Sequence, residues 1–122
     1  MVVVVSIGGY LGYRELLNRW TIPSVSGANF SLEYRKIPFD AKNIDITFST
    51  PLDASSLTTK NVTMSPFIEG NASIKDTNTV SYALDKNLAI GETYTLTIGS
   101  DIRSAYGKEL GSDQVFTFEA IA

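Results

Sequence analysis

The sequence contains no cysteine and no histidine. Without cysteine, the chain can form no disulfide, thiolate zinc site or iron–sulfur cluster, and it has no thiol nucleophile. Without histidine, it can build neither a Ser-His-Asp triad nor an imidazole metal site. These two absences remove the most common catalytic and metal-binding arrangements, so we expect a protein that is not an enzyme and holds no cofactor.

Positive charge is also scarce. The chain carries 10 Lys and Arg against 13 Asp and Glu, its net charge is −3, and its isoelectric point is about 4.8. Binding to nucleic acid depends on a basic surface, so we predict no nucleic-acid partner. The remaining composition is that of a folded domain, with 43% hydrophobic and 19% charged residues in a chain of 122, a length typical of one domain.

The first twenty residues, 1–20, form a separate apolar segment. Its first thirteen residues carry no charge, which is too short a run for a membrane-spanning helix of about 20 residues. One interpretation is the remnant of a membrane anchor, with Arg14, Arg19 and Trp20 at the membrane interface. The other is an extra strand, Val2–Ile7, because four consecutive valines favour extended backbone. Such a strand could also insert into a neighbouring copy, which makes self-association a third possibility.

After this segment, residues 21–29 predict a linker, and residues 30–122 predict an all-β domain. Seven short runs alternate apolar and polar residues, so that each presents one apolar face. The runs are residues 30–34, 44–48, 62–64, 72–74, 80–84, 94–98 and 116–120. Clusters of Pro, Gly, Asn and Asp separate them. This pattern predicts a Greek-key sandwich of about seven antiparallel strands.

Two local patterns add detail to this sandwich. Leu88 and Gly91 precede Tyr94 at the start of a predicted strand, the layout of a tyrosine corner, in which the Tyr hydroxyl bonds to backbone a few residues upstream. Asp53 precedes a short predicted helical turn that ends at Leu57, and we expect its carboxylate to cap that turn.

Several linked motifs occur in order along the chain. Residues 46–56 read ITFSTPLDASS, residues 88–98 read LAIGETYTLTI, residues 102–110 read IRSAYGKEL, and residues 116–118 read FTF. Together, over residues 37–119, they resemble the bacterial immunoglobulin-like domain of S-layer proteins and large secreted surface proteins. The resemblance assigns structural roles to nine residues: Phe48, Pro51, Asp53, Leu88, Gly91, Tyr94, Gly107, Phe116 and Phe118.

The resemblance implies an immunoglobulin-like sandwich at the cell surface or outside the cell, acting as a structural or spacer module with neighbouring domains as partners. The alternatives are a binding or adhesion module, which would use its loops for carbohydrate or protein, and a self-assembling subunit. Phe67 and Tyr106 are the loop aromatics for a binding role, although we expect them to pack at the core edge. Ser104 and Lys108 replace an Asp and an Asn of the family pattern, so we expect their loop to lack an ordering side chain.

Calcium is the one ion that the composition leaves open. It needs several converging oxygen ligands. The candidates are four loop aspartates, namely Asp40, Asp53, Asp101 and Asp113.

Overall fold

A computed structural model describes residues 22–122, and the predicted apolar segment 1–20 lies outside them. The described chain is all-β, as predicted, with eight strands where about seven were expected. The strands are β1 Val25–Ala28, β2 Lys36–Pro38, β3 Asn43–Phe48, β4 Val62–Ser65, β5 Gly70–Lys75, β6 Thr79–Leu84, β7 Thr93–Ile98 and β8 Gln114–Ile121. A 3-10 turn at Ala54–Ser56 is the one helical element in this range, and no helix there has the length and apolarity to cross a membrane.

The strands form two four-stranded sheets. Sheet A has the order β1-β3-β6-β5, and sheet B has the order β2-β8-β7-β4. Neighbouring strands are antiparallel, as predicted, except that β2 runs parallel to β8.

The core lies between the two sheets and follows the predicted alternation. Ile44, Ile46 and Phe48 on β3 are at most 1% exposed, and so is Phe118 on β8. Each such side chain stabilises the fold by about 1.5–3 kcal/mol through removal from water. The Phe118 ring also lies 5.0 Å from the ring of Phe30, centroid to centroid, so the segment between β1 and β2 packs against this side of the core.

The structure corrects the predicted boundary at residue 30. Residues 25–28, inside the predicted linker, form β1, while residues 30–34, predicted as a strand, form a turn that leads to β2. Here the chain leaves sheet A and crosses to sheet B. Arg35 ends the crossing with a positive φ of 57°, and Tyr34 is 71% exposed. Residues 30–34 therefore alternate apolar and polar in sequence without forming a strand that has one buried face.

The described chain begins and ends at opposite ends of the sandwich. Val25, the first residue of β1, pairs with Phe48 at the end of β3, and we call this end the upper pole. Ile121, the last residue of β8, pairs with Pro38, and the chain then turns through residues 39–42 into the start of β3. The start of β3 is the opposite end of the sheet, which we call the lower pole.

Candidate functional site

The upper pole carries two long loops, residues 49–61 and 99–113. An open cleft of about 400 Å³ lies beside them. Its lining is polar and comes from both loops and from the adjoining strands: Lys60, Asn61, Thr63, Thr97, Gly99, Ser100, Asp101 and Asp113.

Asn61 joins the two loops. It is only 7% exposed, and its side-chain oxygen accepts a hydrogen bond from the Thr58 N–H at 2.8 Å. Its Nδ2 donates to the Ser56 carbonyl at 2.7 Å and to Asp101 Oδ1 at 3.2 Å. A Cβ at Gly99 would lie 2.9 Å from the Asn61 Cβ, so only glycine fits there. Because a buried amide must satisfy its hydrogen-bonding groups, this set of partners holds the cleft wall in one arrangement.

Asp53 caps the 3-10 turn, as expected. One carboxylate oxygen accepts hydrogen bonds from the Ser55 N–H at 3.0 Å and the Ser55 hydroxyl at 2.7 Å. The other accepts from Arg103 Nη2 at 3.3 Å. The hydrogen bonds from Ser55, followed by the bond and charge of Arg103, hold the pKa of Asp53 below its ordinary value. The bridge from Asp53 to Arg103 is a second connection between the two loops.

Ser104 corrects the expectation for its loop. It is completely buried, and its hydroxyl accepts hydrogen bonds from the Tyr106 and Lys108 N–H groups, each at 3.2 Å. Gly107 adopts a φ of +91° between them, and its N–H donates to the Ser104 carbonyl at 2.9 Å. Ala105, which precedes Tyr106, donates its N–H to the Pro51 carbonyl at 2.9 Å. A serine hydroxyl therefore orders the loop where the family pattern has a carboxylate.

The four calcium candidates do not meet at one point. Asp101 and Asp113 both line the cleft, where Asp113 accepts a hydrogen bond from the Ser100 N–H at 2.9 Å. Asp53 is engaged with Ser55 and Arg103, and Asp40 lies in the turn after β2 at the lower pole. Within residues 22–122, no three acidic, histidine or cysteine side chains are placed to hold a metal ion.

The lower pole contains the predicted tyrosine contact. Tyr94 is 2% exposed, and its hydroxyl accepts a hydrogen bond from the Ala89 N–H at 2.8 Å. Leu88 is buried beside it. Gly91 turns the chain with a φ of +86° and donates its N–H to the Ala120 carbonyl at 2.8 Å. These bonds fasten the β6–β7 connection to the end of β8.

A buried polar cluster on the outer face of sheet A was not predicted. Asp45 is 8% exposed and accepts hydrogen bonds from Ser81 Oγ and Asn43 Nδ2, each at 2.6 Å, and from Lys75 Nζ at 2.9 Å. Burial by itself would raise the pKa of Asp45, but the bonds from Ser81, Lys75 and Asn43 outweigh it and lower this pKa. The alternation of β3 predicts that Asp45 faces outward, but it does not show that side chains of neighbouring strands cover the carboxylate.

The remaining candidates are aromatic. Phe116 is half-buried and packs against the core. Tyr106 is half-buried, whereas Phe67, in the loop between β4 and β5, is 75% exposed. The expectation that Phe67 packs at the core edge is therefore wrong.

The two sheets and the corner of Tyr94 at the start of β7 define an immunoglobulin-like sandwich. The family model of the bacterial Ig-like domain matches residues 21–120, so the chain belongs to the bacterial Ig-like domain family. The match begins upstream of β1, in agreement with the corrected boundary.

The sandwich is also similar to solved S-layer structures. The crystal structure of the N-terminal part of the bacterial S-layer protein SbsC matches with a TM-score of 0.64 and 18% identity over 92% of this chain and 27% of that chain. The S-layer protein rSbsC(31-844) matches with a TM-score of 0.59 and 18% identity over 93% of this chain and 16% of that chain. At this identity the likeness shows the fold, and the chain spans only these fractions of the S-layer chains.

L,D-transpeptidase 3 from Mycobacterium tuberculosis matches with a TM-score of 0.48 and 17% identity, over 80% of this chain and 37% of that chain. That score is too low to support an argument about activity. No curated protein gives a significant sequence match.

Proposed function

We propose that the chain is a non-catalytic spacer module of a larger bacterial cell-surface or secreted protein, with neighbouring domains as its partners. The observation that carries this proposal is the position of the chain ends. The described chain enters at the upper pole beside Phe48 and leaves at the lower pole beside Pro38. Successive modules joined through these ends would therefore lie in line. The similarity to parts of much longer S-layer chains supports a place in such a series.

The first and last strands suit a module that carries tension. β1 begins at the upper pole and β8 ends at the lower pole, so a pull on the two chain ends acts along both strands. The ladder hydrogen bonds stand perpendicular to the strands, and a pull along the strands loads them together. The start of β1 is fastened as well, because the Ser49 N–H donates to the Ser24 carbonyl at 2.7 Å and the Ser24 hydroxyl donates to Ser49 Oγ at 3.1 Å.

Single-molecule force spectroscopy tests the spacer proposal. One geometry attaches the handles at residues 22 and 122, and the control geometry attaches them at residues 22 and 55, both at the upper pole. We expect cooperative unfolding at a clearly higher force in the first geometry, because it shears the terminal strands. Equal or lower force across the chain ends would contradict a load-bearing spacer.

A binding role is the second candidate, and the exposure of Phe67 favours it. An exposed aromatic ring in a loop can stack against a sugar ring or anchor a protein contact. A panel of soluble oligosaccharides, screened by NMR chemical-shift changes, tests the carbohydrate form of this role. Binding that is lost in Phe67→Ala and kept in Tyr34→Ala would support it, and the absence of binding would leave the spacer role as the better account.

The anchor and extra-strand interpretations of residues 1–20 remain predictions. Light scattering coupled to size exclusion compares the full chain with a chain that starts at Ser24. A dispensable anchor remnant predicts that both chains are folded monomers, and a self-associating segment predicts that only the full chain assembles. An extra strand of the domain predicts that the shorter chain fails to fold.

A further inference from the structure

Strand β5 is an open edge of sheet A. It pairs through six residues with β6 on one side, and no other strand of residues 22–122 pairs with its other side. Natural edges are usually blocked by proline, a bulge, an inward charge or short length. β5 has no proline, its register is continuous from Gly70 to Lys75, and its inward side chains are Ala72 and Ile74. Its one charged residue, Lys75, is the last of the strand and lies on the outer face.

The other three edges of the described sandwich are protected. β1 has four residues and a register shift between Val25 and Gly27. β2 has three residues and ends in Pro38, which lacks a backbone donor. β4 has four residues and runs directly into Pro66. The contrast singles out β5 as the edge that can accept a further strand.

The hydrogen-bond pattern shows which groups of β5 are available. The Asp85 N–H donates to the Glu69 carbonyl at 3.0 Å, so the ladder with β6 already includes Glu69. In an antiparallel ladder, alternate residues direct their N–H and C=O groups to the same neighbour. Those of Gly70, Ala72 and Ile74 therefore point away from β6, toward the open edge.

We propose that β5 pairs antiparallel with β5 of a second copy of this chain, about a two-fold axis at Ala72. In this register Ala72 lies opposite its own counterpart, and Gly70 lies opposite Ile74. The three residues with available backbone groups then form three hydrogen-bonded pairs, each exchanging two N–H···O bonds. The two sheets A become one continuous eight-stranded sheet. The proposal is independent of the spacer role.

The charges select this register. It places Lys75 of each copy opposite Glu69 of the other, in a non-hydrogen-bonded pair, where side chains approach most closely. Lys75 is 51% exposed, and its ammonium reaches across β6 to Asp45, so pairing with Glu69 turns this flexible side chain toward the open edge. Glu69 is exposed and forms no ion pair within residues 22–122. A shift of two residues in either direction loses both interchain ion pairs.

The inner face of the strand gains burial from the same pairing. Ala72 and Ile74 are half-buried and pack against the margin of the core. A neighbouring strand would cover their remaining apolar surface. An interface of one six-residue edge is small, so we expect a weak, concentration-dependent dimer.

The test is sedimentation velocity of the full chain over a concentration series to about 1 mM, a range that detects affinities of this weak class. We expect a monomer–dimer equilibrium, and at high concentration slower amide exchange at Ala72 and Ile74. Ala72→Pro removes an N–H that points away from β6, so it should abolish the dimer while the domain stays folded. A full chain that stays monomeric, or a dimer unaffected by Ala72→Pro, would overturn the proposal.

A charge reversal gives a second readout that does not depend on proline. Glu69→Lys places two lysines opposite each other at both ends of the pairing and should weaken the dimer about tenfold. Glu33→Lys makes the same change of charge in the exposed crossing turn and should leave the dimer unchanged. Equal effects of the two reversals would show a general response to net charge and contradict the β5 interface. An association that disappears on deletion of Val2–Val5 would also contradict the β5 interface.

Discussion

The two poles of the sandwich are held together by different means. At the upper pole, long loops reach beyond the sheets, and buried polar side chains order them: Asn61 bonds to both loops, and the Ser104 hydroxyl holds two backbone N–H groups. At the lower pole, the connections are short and remain near the core, and the hydroxyl of one core aromatic, Tyr94, fastens them. The upper loops also bury Leu52, Ile102 and Leu110 in the core, so the poles differ in the polar contacts that fix their turns. The long upper loops use buried amide and hydroxyl side chains, and the shorter lower connections use the hydroxyl of a core aromatic.

The largest effect should come from the upper pole. Asn61→Ala removes three side-chain hydrogen bonds and leaves the Thr58 N–H and the Ser56 carbonyl without their partner. Ser56 is buried, so its unsatisfied carbonyl costs about 1–3 kcal/mol, and each of the other two lost bonds costs about 0.5–1.5 kcal/mol. We therefore expect the free energy of unfolding to fall by about 3 kcal/mol. Urea denaturation measures it. Asn71→Ala, the same change at an exposed position, should be almost neutral. Similar losses for both variants would contradict the role of Asn61.

The lower pole should be less sensitive to the loss of its main contact. Tyr94→Phe keeps the aromatic ring in the core and removes only the acceptor of the Ala89 N–H. We expect a loss of about 1 kcal/mol in the free energy of unfolding, the typical net contribution of one hydrogen bond, because water can reach the exposed Ala89 residue. The control is Tyr34→Phe, where the ring is 71% exposed and no change is expected. A loss larger than that of Asn61→Ala would reverse the order of the two poles.

The smallest effect should come from acid, which should change the upper pole at Asp53 and leave the lower pole unchanged. The pKa of Asp53 is lowered in the folded chain, so its stabilising contribution is complete above its ordinary value of 3.8 and is lost as the pH falls through the lower folded value. We expect the Ser55 amide signal to titrate in this range by NMR, while the Ala89 amide at the tyrosine corner stays constant. Asp53→Asn should remove the titration of Ser55, and Asp40→Asn should not. A parallel titration at Ala89 would show that the whole domain responds.

Much of the fold could be predicted because its strands alternate strictly. β3 and β7 each place three buried apolar residues at every second position, so the pattern and the structure agree. β1 could not be found in this way, because its sequence VSGA has no alternation and none of its side chains is fully buried. It forms a strand because its backbone pairs with the edge of β3.

The site was less predictable than the fold. The capping role of Asp53 and the corner of Tyr94 each follow from a local spacing of a few residues. Asn61 bonds locally to Ser56 and Thr58, but its contact with Asp101 joins residues 40 positions apart and has no local signal. The partners of Ser104 are local, at Tyr106 and Lys108, but nothing in the sequence distinguishes a buried serine hydroxyl from a solvated one. Asp45 is buried by residues 30 and 36 positions away along the chain, Lys75 and Ser81.

The sequence by itself determined the all-β class, the apolar faces of most strands and the local turns, because side-chain alternation and short-range capping depend only on neighbouring residues. Only the tertiary structure decided where the chain crosses between sheets, which polar residues are buried, and which edge stays open. These features depend on strands that are distant in the chain and adjacent in space. The open edge of β5 is the clearest case, since the strand becomes an edge only through the position of its neighbours in the sheet.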